Sequence, residues 1–124
     1  MSAHSRTKGI RAELEAAAII HALTGWEVAR KVRQHQGDSD LSGCEDHGWS
    51  VECKRHATAS RADIAAWWNQ AEAQAIKAGK RALLMYRVDR GEWRAVWALS
   101  GWTGYMWTAE GSPEAWAAFA RENA

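Results

Sequence analysis

The chain has 124 residues, a length that favours one domain built around one hydrophobic core. Hydrophobic residues make up 47% of it and only one proline is present, which excludes a disordered chain. No apolar run approaches the roughly 20 residues of a membrane span, and the polar start has no signal-peptide segment. We therefore expect a cytoplasmic protein with no membrane partner and with its two cysteines reduced.

The net charge of +1 conceals an uneven distribution along the sequence. Residues 1–36 carry six Lys or Arg against three acids, and residues 77–94 carry six against two. Residues 37–52 contain five acids and no base. This distribution fits a site where metal ions bridge the protein to phosphate, and it fits ordinary charge scatter on a solvated surface equally well.

The first half of the chain predicts one long helix followed by three strands. Alanine, leucine and isoleucine recur with helical spacing over residues 8–23. Residues 26–32 predict a strand, and the polar residues 34–40 predict a loop. Leu41 begins a short strand, and residues 49–54 form the next one after glycine-containing turns.

The second half predicts a helix, a hairpin and a final helix. Residues 61–78 form an amphipathic helix that begins after a serine N-cap. The apolar residues 82–88 predict a central strand, and residues 93–99 predict its hairpin partner. Residues 100–111 are rich in glycine and aromatic residues and predict a loop or an irregular edge. A short helix then opens at Pro113.

This order of elements, α-β-β-β-α-β-β-α, predicts an α/β fold in which a small mixed β-sheet is flanked by helices. No internal repeat or low-complexity tract interrupts the sequence. We therefore expect a single domain over residues 1–124.

The chain contains nine tryptophans, more than so small a domain can bury fully. Trp67 and Trp68 are expected in the core or at a subunit contact rather than against bases. Five others lie in the last third, where residues 95–120 contain no Lys or Arg to accompany base stacking. We therefore expect this region to pack against a second subunit.

Asp40, Glu52 and Lys54 form the most informative pattern, Asp-x11-Glu-Cys-Lys. Side chains alternate along a strand, so Glu52 and Lys54 share one face about 7 Å apart, while Cys53 points to the other face. A neighbouring strand or turn would bring Asp40 alongside. Two carboxylates suit Mg²⁺ or Mn²⁺, and a lysine beside the metal can stabilise the charge on a phosphate under attack. The pattern predicts metal-dependent phosphodiester cleavage.

Five segments, in order, resemble the PD-(D/E)XK nuclease superfamily, and more narrowly its Holliday junction resolvase-like nucleases of phages and archaea. The resembling segments are Lys8–Glu15, Asp38–Gly43, Val51–Arg55, Ala66–Ala71 and Leu84–Arg87. The resemblance implies a restriction-endonuclease-like core. Ser39 replaces the proline of the namesake motif.

The resemblance implies a role for each of five residues. Asp40 and Glu52 would bind the metal, helped by the backbone carbonyl that follows Glu52. Glu13 would add a third acid from the first helix. Lys54 would position the attacking water or stabilise the transition state. Gln70 would orient water or phosphate from the second long helix.

Four basic residues are expected to bind DNA. Arg30 matches a DNA-contacting arginine of related resolvases. Lys31 and Arg33 adjoin the polar 34–39 loop, which would order on DNA. Arg55 follows the catalytic lysine.

The activity implied is that of a Mg²⁺-dependent endodeoxyribonuclease, with Mn²⁺ as a substitute, that leaves 5′-phosphate and 3′-hydroxyl ends. Paired nicks in a four-way DNA junction require a homodimer with two equivalent sites. No small-molecule cofactor is expected. If a phage encodes the chain, it would act in the cytoplasm of the bacterial host.

Alternatives remain open for residues and for function. Asp38 lies close enough to Asp40 to take its place, and Glu13 and Gln70 fit solvent-facing helix positions, as Glu15 does. The same motif serves PD-(D/E)XK nucleases and nickases on other DNA substrates. A catalytically silent DNA-binding accessory module would also keep the fold.

A zinc-stabilised binding module is the remaining alternative. The pattern Cys44-x2-His47-x5-Cys53-x2-His56 has the ligand types of a structural zinc site. Cys53 lies in the middle of a predicted strand and fits a small buried residue without a metal, which argues against this alternative.

Overall fold

A computed structural model of the chain describes residues 3–32 and 38–124, with side chains from residue 6 onward. Arg33 and most of the predicted 34–40 loop lie outside the described residues. The elements are α1 (Ala3–Thr24), β1 (Ala29–Arg30), β2 (Leu41–Ser42), β3 (Trp49–His56), α2 (Arg61–Ala78), β4 (Arg81–Val88), β5 (Arg94–Ala98), β6 (Thr108–Gly111) and α3 (Pro113–Glu122), with short 3-10 helices at Glu45–His47 and Tyr105–Trp107. Within the described ranges, no helix is long and apolar enough to cross a membrane.

Helix α2 spans the residues that its local sequence signals predict. The Ser60 hydroxyl accepts a hydrogen bond from the Asp63 N–H, and the Asp63 carboxylate accepts one from the Ser60 N–H. This reciprocal cap satisfies two backbone donors at the start of the helix. Gly79 ends the helix in the left-handed conformation.

The main sheet is mixed, as the sequence predicts, and has the strand order β3-β4-β5-β6. Strands β3 and β4 are parallel and are connected through α2, while β4–β5 and β5–β6 are antiparallel. The predicted central position of β4 and its hairpin with β5 are thus confirmed. A separate antiparallel pair, β1–β2, joins Ala29 to Ser42 and Arg30 to Leu41.

Two predictions about strands are confirmed only in part. Within the strand predicted over 26–32, the paired residues are Ala29–Arg30, which bond to β2. The region 100–111, predicted as a loop or an irregular edge, ends in β6, an edge strand that pairs with β5 over Thr108–Gly111.

The core has two layers, one on each face of the sheet. Helices α1 and α3 cover one face around the fully buried Trp116, and α2 covers the other around the fully buried Trp68. Three of the five C-terminal tryptophans belong to this core: Trp93, Trp97 and Trp116. Trp102 and Trp107 are exposed, so the expectation of a surface role applies to these two alone.

Candidate active site

Asp40 lies beside β3, which is an edge strand of the main sheet. Its N–H donates to the Val51 carbonyl at 2.9 Å, and its Oδ2 accepts from the Cys53 N–H at 2.8 Å. These two contacts hold the buried Asp40 carboxylate against the middle of β3. The structure therefore brings Asp40, rather than Asp38, to the position that the sequence pattern requires.

Glu52 is a strongly perturbed acid at the centre of the cluster. Glu52 lies on β3 and is 3% exposed, with Asp40 and Gln74 of helix α2 as neighbours. The pKa of Glu52 is raised to about 8. Burial is the largest cause, and the adjacent Asp40 carboxylate, which is placed to share a proton with Glu52, is the next. Lys54 opposes the increase, with its Nζ 3.6 Å from Glu52 Oε1.

The predicted geometry of the Glu-Cys-Lys run is confirmed. Glu52 and Lys54 form an ion pair, as residues on one face of a strand can. Cys53 packs with Val51 into the core on the face that α1 covers. Burial raises the pKa of the Cys53 thiol, which suits a small apolar core residue.

Helix α2 brings Gln74, not Gln70, to this cluster. Gln70 is exposed, whereas Gln74 is buried and its side chain forms a hydrogen bond with Glu52 that lowers the pKa of the acid. Gln74 lies on the same stripe as the buried Ala71 and Ala75. A polar residue on an apolar helical stripe is the sequence signal that would have identified it.

Glu13 and Arg30 meet across the same cleft. Glu13 projects from α1, and its Oε1 accepts a hydrogen bond from Arg30 Nε at 3.1 Å. Both side chains are largely buried. The predicted third acid therefore lines the cleft in an ion pair with a predicted DNA-binding arginine.

Basic side chains form much of the cleft around the acids. The cleft has a volume of about 630 Å³, and its charged lining residues are Arg6, Lys8, Glu13, Arg30, Lys31, Asp40, Glu52, Lys54 and Arg55. Lys31 bonds to Ser39 and Glu45 at 3.0 and 3.1 Å, so it also helps to hold the segment that precedes Asp40. Eight of the nine predicted site and DNA-binding positions fall in the described residues, and all of these except Gln70 line the cleft.

Glu15 is not the solvent-facing residue that its position on α1 predicts. It accepts hydrogen bonds from Arg87 Nη1 at 2.9 Å and from Trp93 Nε1 at 3.1 Å, and it lies 3.8 Å from Arg55 Nη1. Arg87 and Trp93 come from β4 and from the residue before β5, far along the chain. Glu15 therefore connects helix α1 to the sheet and helps to hold Arg55 at the cleft.

The donor set of Asp40 and Glu52 fits a divalent cation. Oε2 of Glu52 is buried and has no hydrogen-bond partner in the part of the chain that the structure describes. An oxygen in that situation is satisfied by a cation or a shared proton. Among the described residues, no three His, Cys, Asp or Glu side chains are arranged to hold a metal. Two carboxylates suit an ion that retains several of its waters.

The four residues of the zinc alternative do not assemble. Cys44 and Cys53 are buried in the core, and burial raises the pKa of the Cys44 thiol to about 12. His47 stacks on Trp26 with ring centroids 4.3 Å apart, and His56 stacks on Trp67 at 4.8 Å. A thiolate site for zinc therefore has no support within the described structure.

A solved structure with a similar fold is that of Hjc from Archaeoglobus fulgidus, a Holliday junction resolvase from an archaeal hyperthermophile. The TM-score is 0.51 at 15% sequence identity, over 86% of this chain and 84% of that one. At this identity the likeness shows the fold, which confirms the expected restriction-endonuclease-like core. None of the curated proteins compared matches the chain.

A family model described as "Phage putative PDDEXK endonuclease" matches residues 4–103, which extend from the first turn of α1 to beyond β5. PD-(D/E)XK nucleases generally use divalent metal ions, in agreement with the donor set of the cleft. Because the match extends over most of the sequence, the chain belongs to this family of phage PDDEXK endonucleases.

Proposed function

We propose that this chain is a Mg²⁺-dependent endonuclease that cuts branched DNA, with four-way junctions as its substrate. The observation that carries the proposal is the position of Asp40, Glu52 and Lys54 on the edge strand β3, inside a cleft with basic walls. Two carboxylates supply hard oxygen ligands, and the surrounding Lys and Arg side chains supply attraction for the DNA backbone.

The residues of the cleft divide the chemistry among them. Asp40 and Glu52 would hold Mg²⁺, which would supply polarisation of the scissile phosphate and ionisation of the attacking water. Lys54, whose ammonium group lies 3.6 Å from Glu52 Oε1, would stabilise the negative charge that develops on the phosphate oxygens. Glu13 would add a third carboxylate to the acidic side of the site. Its partner Arg30 would then be released to bind a DNA phosphate. The products would carry 5′-phosphate and 3′-hydroxyl ends.

The junction substrate requires two sites that act on two strands, and therefore a homodimer. The chain offers an uncharged, exposed apolar surface formed by Leu99, Trp102, Met106 and Trp107. The segment that carries this surface, residues 95–120, contains no Lys or Arg of its own, which makes DNA a less suitable occupant. A second copy of the chain would bury these side chains and so stabilise the dimer. The fold shared with a Holliday junction resolvase also supports this choice of substrate.

The experiment that tests the proposal compares cleavage of a synthetic four-way junction, a linear duplex and single strands, with Mg²⁺ or with EDTA. Asp40→Asn and Glu52→Gln are the active-site variants. Symmetric, Mg²⁺-dependent nicks near the branch that disappear in both variants are the expected result. Cleavage of linear duplex in preference to the junction would keep the nuclease and reject the substrate. Binding without cleavage of any substrate would instead indicate a silent accessory module.

A further inference from the structure

A second, smaller pocket adjoins the active-site cleft. It has a volume of about 280 Å³, and its lining residues are Thr7, Lys8, Arg11, Arg55 and Asp89. Lys8 and Arg55 line both this pocket and the cleft, so the two spaces share a basic wall. Three cationic side chains thus surround one acid directly beside the proposed site of phosphodiester cleavage.

The acid, Asp89, contacts two of these cations. Its Oδ1 lies 2.9 Å from Lys8 Nζ, and its Oδ2 accepts a hydrogen bond from the same ammonium group at 3.1 Å. Oδ1 also lies 3.5 Å from Arg55 Nε. The bond from Lys8 lowers the pKa of Asp89. A carboxylate that bridges Lys8 and Arg55 makes the same kind of contacts that a phosphate oxygen pair would make.

The backbone fixes the position of Asp89, while its side chain remains accessible. Asp89 follows β4, and its N–H donates to the His56 carbonyl at the end of β3 at 3.0 Å. The side chain is 43% exposed, whereas Arg55 is 18% exposed and is further held by Glu15. Arg55 is therefore anchored independently of Asp89, and the carboxylate is open to replacement by an anion from solvent.

We propose that the pocket of Lys8, Arg11 and Arg55 is a phosphate subsite for the DNA backbone, and that the Asp89 carboxylate occupies it in the free protein. This proposal rests on the proposed function, because the phosphate is that of the DNA strand leading away from the active-site cleft. Asp89 competes with that phosphate for Lys8 and Arg55. It thereby lowers affinity for DNA that does not also engage the rest of the cleft.

The test is equilibrium binding of a fluorescent duplex and a fluorescent four-way junction in EDTA, which excludes cleavage. Asp89→Asn removes the competing charge while keeping the shape of the side chain. We expect it to lower the Kd about three- to fivefold, the upper part of the range for an exposed ion pair. Asp46→Asn is the matched control, because Asp46 is an exposed aspartate that does not line the cleft or the pocket and gives the same change in net charge. It should leave the Kd within about twofold.

Arg11→Gln supplies an independent measurement, since Arg11 is exposed on α1 and its replacement does not disturb the core. We expect it to weaken binding and to reduce the slope of log Kd against log salt concentration by about one, the contribution of one phosphate contact. The subsite requires both results. Equal binding by Asp89→Asn and Asp46→Asn, or an unchanged salt slope in Arg11→Gln, overturns it. If wild-type protein cuts DNA and Asp89→Asn and Asp46→Asn have the same Kd, only the subsite proposal fails. Wild-type protein that binds no DNA would overturn the proposed function as well.

Discussion

Oδ2 of Asp40 accepts a 2.8 Å hydrogen bond from the backbone N–H of Cys53. This bond fixes the Asp40 carboxylate beside Glu52, the residue that directly precedes Cys53 on β3. The donor belongs to an edge strand, where it would otherwise face solvent or another chain. One aspartate thus satisfies an outward-facing N–H of β3 and supplies half of the proposed metal site. Structural and chemical roles of Asp40 can be separated by the choice of substitution.

Asp40→Asn keeps an oxygen that can accept the Cys53 N–H but removes the negative charge. We expect cleavage to fall by at least about 100-fold, as for loss of a group that acts on transition-state charge. The thermal midpoint in EDTA should not decrease. Asp40→Ala loses the hydrogen bond as well and should be less stable by about 1–3 kcal/mol, because a buried donor is left unsatisfied. Denaturant unfolding of both variants measures the difference, and equal destabilisation would contradict this separation.

The raised pKa of Glu52 predicts a stability that falls as the pH increases. The unfolded chain has the ordinary Glu pKa of 4.5, whereas the folded chain retains the proton up to about pH 8. Between these values the unfolded state loses protons that the folded state keeps, so stability decreases with pH over that interval and levels off above it. We expect the thermal midpoint in EDTA to be a few degrees lower at about pH 8.5 than at about pH 6.

Glu52→Gln is the control for this pH dependence, because it removes the titrating group at nearly the same volume. Its thermal midpoint should change much less over the same interval. Mg²⁺ should stabilise the wild-type protein more at the higher pH, since the metal and the proton compete for the same carboxylates. A wild-type protein whose pH dependence equals that of Glu52→Gln would refute the assignment.

Gln74 and Gln70 form a matched pair on one helix for testing which glutamine serves the site. Gln74→Ala removes the hydrogen bond that lowers the pKa of Glu52, so the pH–rate profile of cleavage should move to higher pH. We also expect about a tenfold lower rate at neutral pH. Gln70→Ala changes an exposed residue and should leave both quantities unchanged. The opposite pattern would restore the role that family resemblance gives to Gln70.

Local sequence signals were sufficient where the deciding interactions are local. The Ser60 cap and Gly79 define both ends of α2, and the apolar run of β4 identifies the central strand. The two-residue periodicity of a strand likewise places Glu52 and Lys54 on one face. These features depend on residues only a few positions apart.

The remaining features depend on partners that are distant in sequence. Strand β6 contains a glycine and no strongly β-forming run, and it is extended because β5 offers it hydrogen bonds. Glu15 is an acid on an apparent solvent face, but Arg87 and Trp93 reach it from β4 and the segment after it. The choice between Gln70 and Gln74 depended on which stripe of α2 packs against the sheet. None of these partners can be identified from helical or strand periodicity alone.

The exposed apolar surface predicts a dimer whose formation depends on Trp102. This side chain is 68% exposed and belongs to a run without charged residues. Light scattering after size exclusion should give the mass of two copies for the wild-type protein and of one copy for Trp102→Lys. Leu14→Lys is the control, because Leu14 is also exposed but lies on α1 outside this surface. A monomeric wild-type protein, or a dimer that survives Trp102→Lys, would contradict the assigned surface.

Gly43 controls the geometry of the chain segment that carries Asp40. Its φ of +96° lies in the left-handed region, and a Cβ at this position would be 1.9 Å from the carbonyl oxygen of Glu27. Gly43→Ala must therefore displace β2 from the segment before β1, at a cost of about 2 kcal/mol or more. Because β2 directly follows Asp40, we expect cleavage to decrease beyond the loss of folded protein.

Gly101→Ala is the matched control, since nothing lies within 4 Å of its added Cβ and its φ is not in the left-handed region. It should retain wild-type stability and activity. Two measurements separate the loss of stability in Gly43→Ala from its loss of activity. Denaturant unfolding gives the stability, and cleavage per folded molecule is measured at a temperature where both variants are folded. Full activity in the folded fraction of Gly43→Ala would contradict this prediction. It would mean that the hydrogen bond from the Cys53 N–H holds the Asp40 carboxylate in place without the close approach of β2 to the segment before β1.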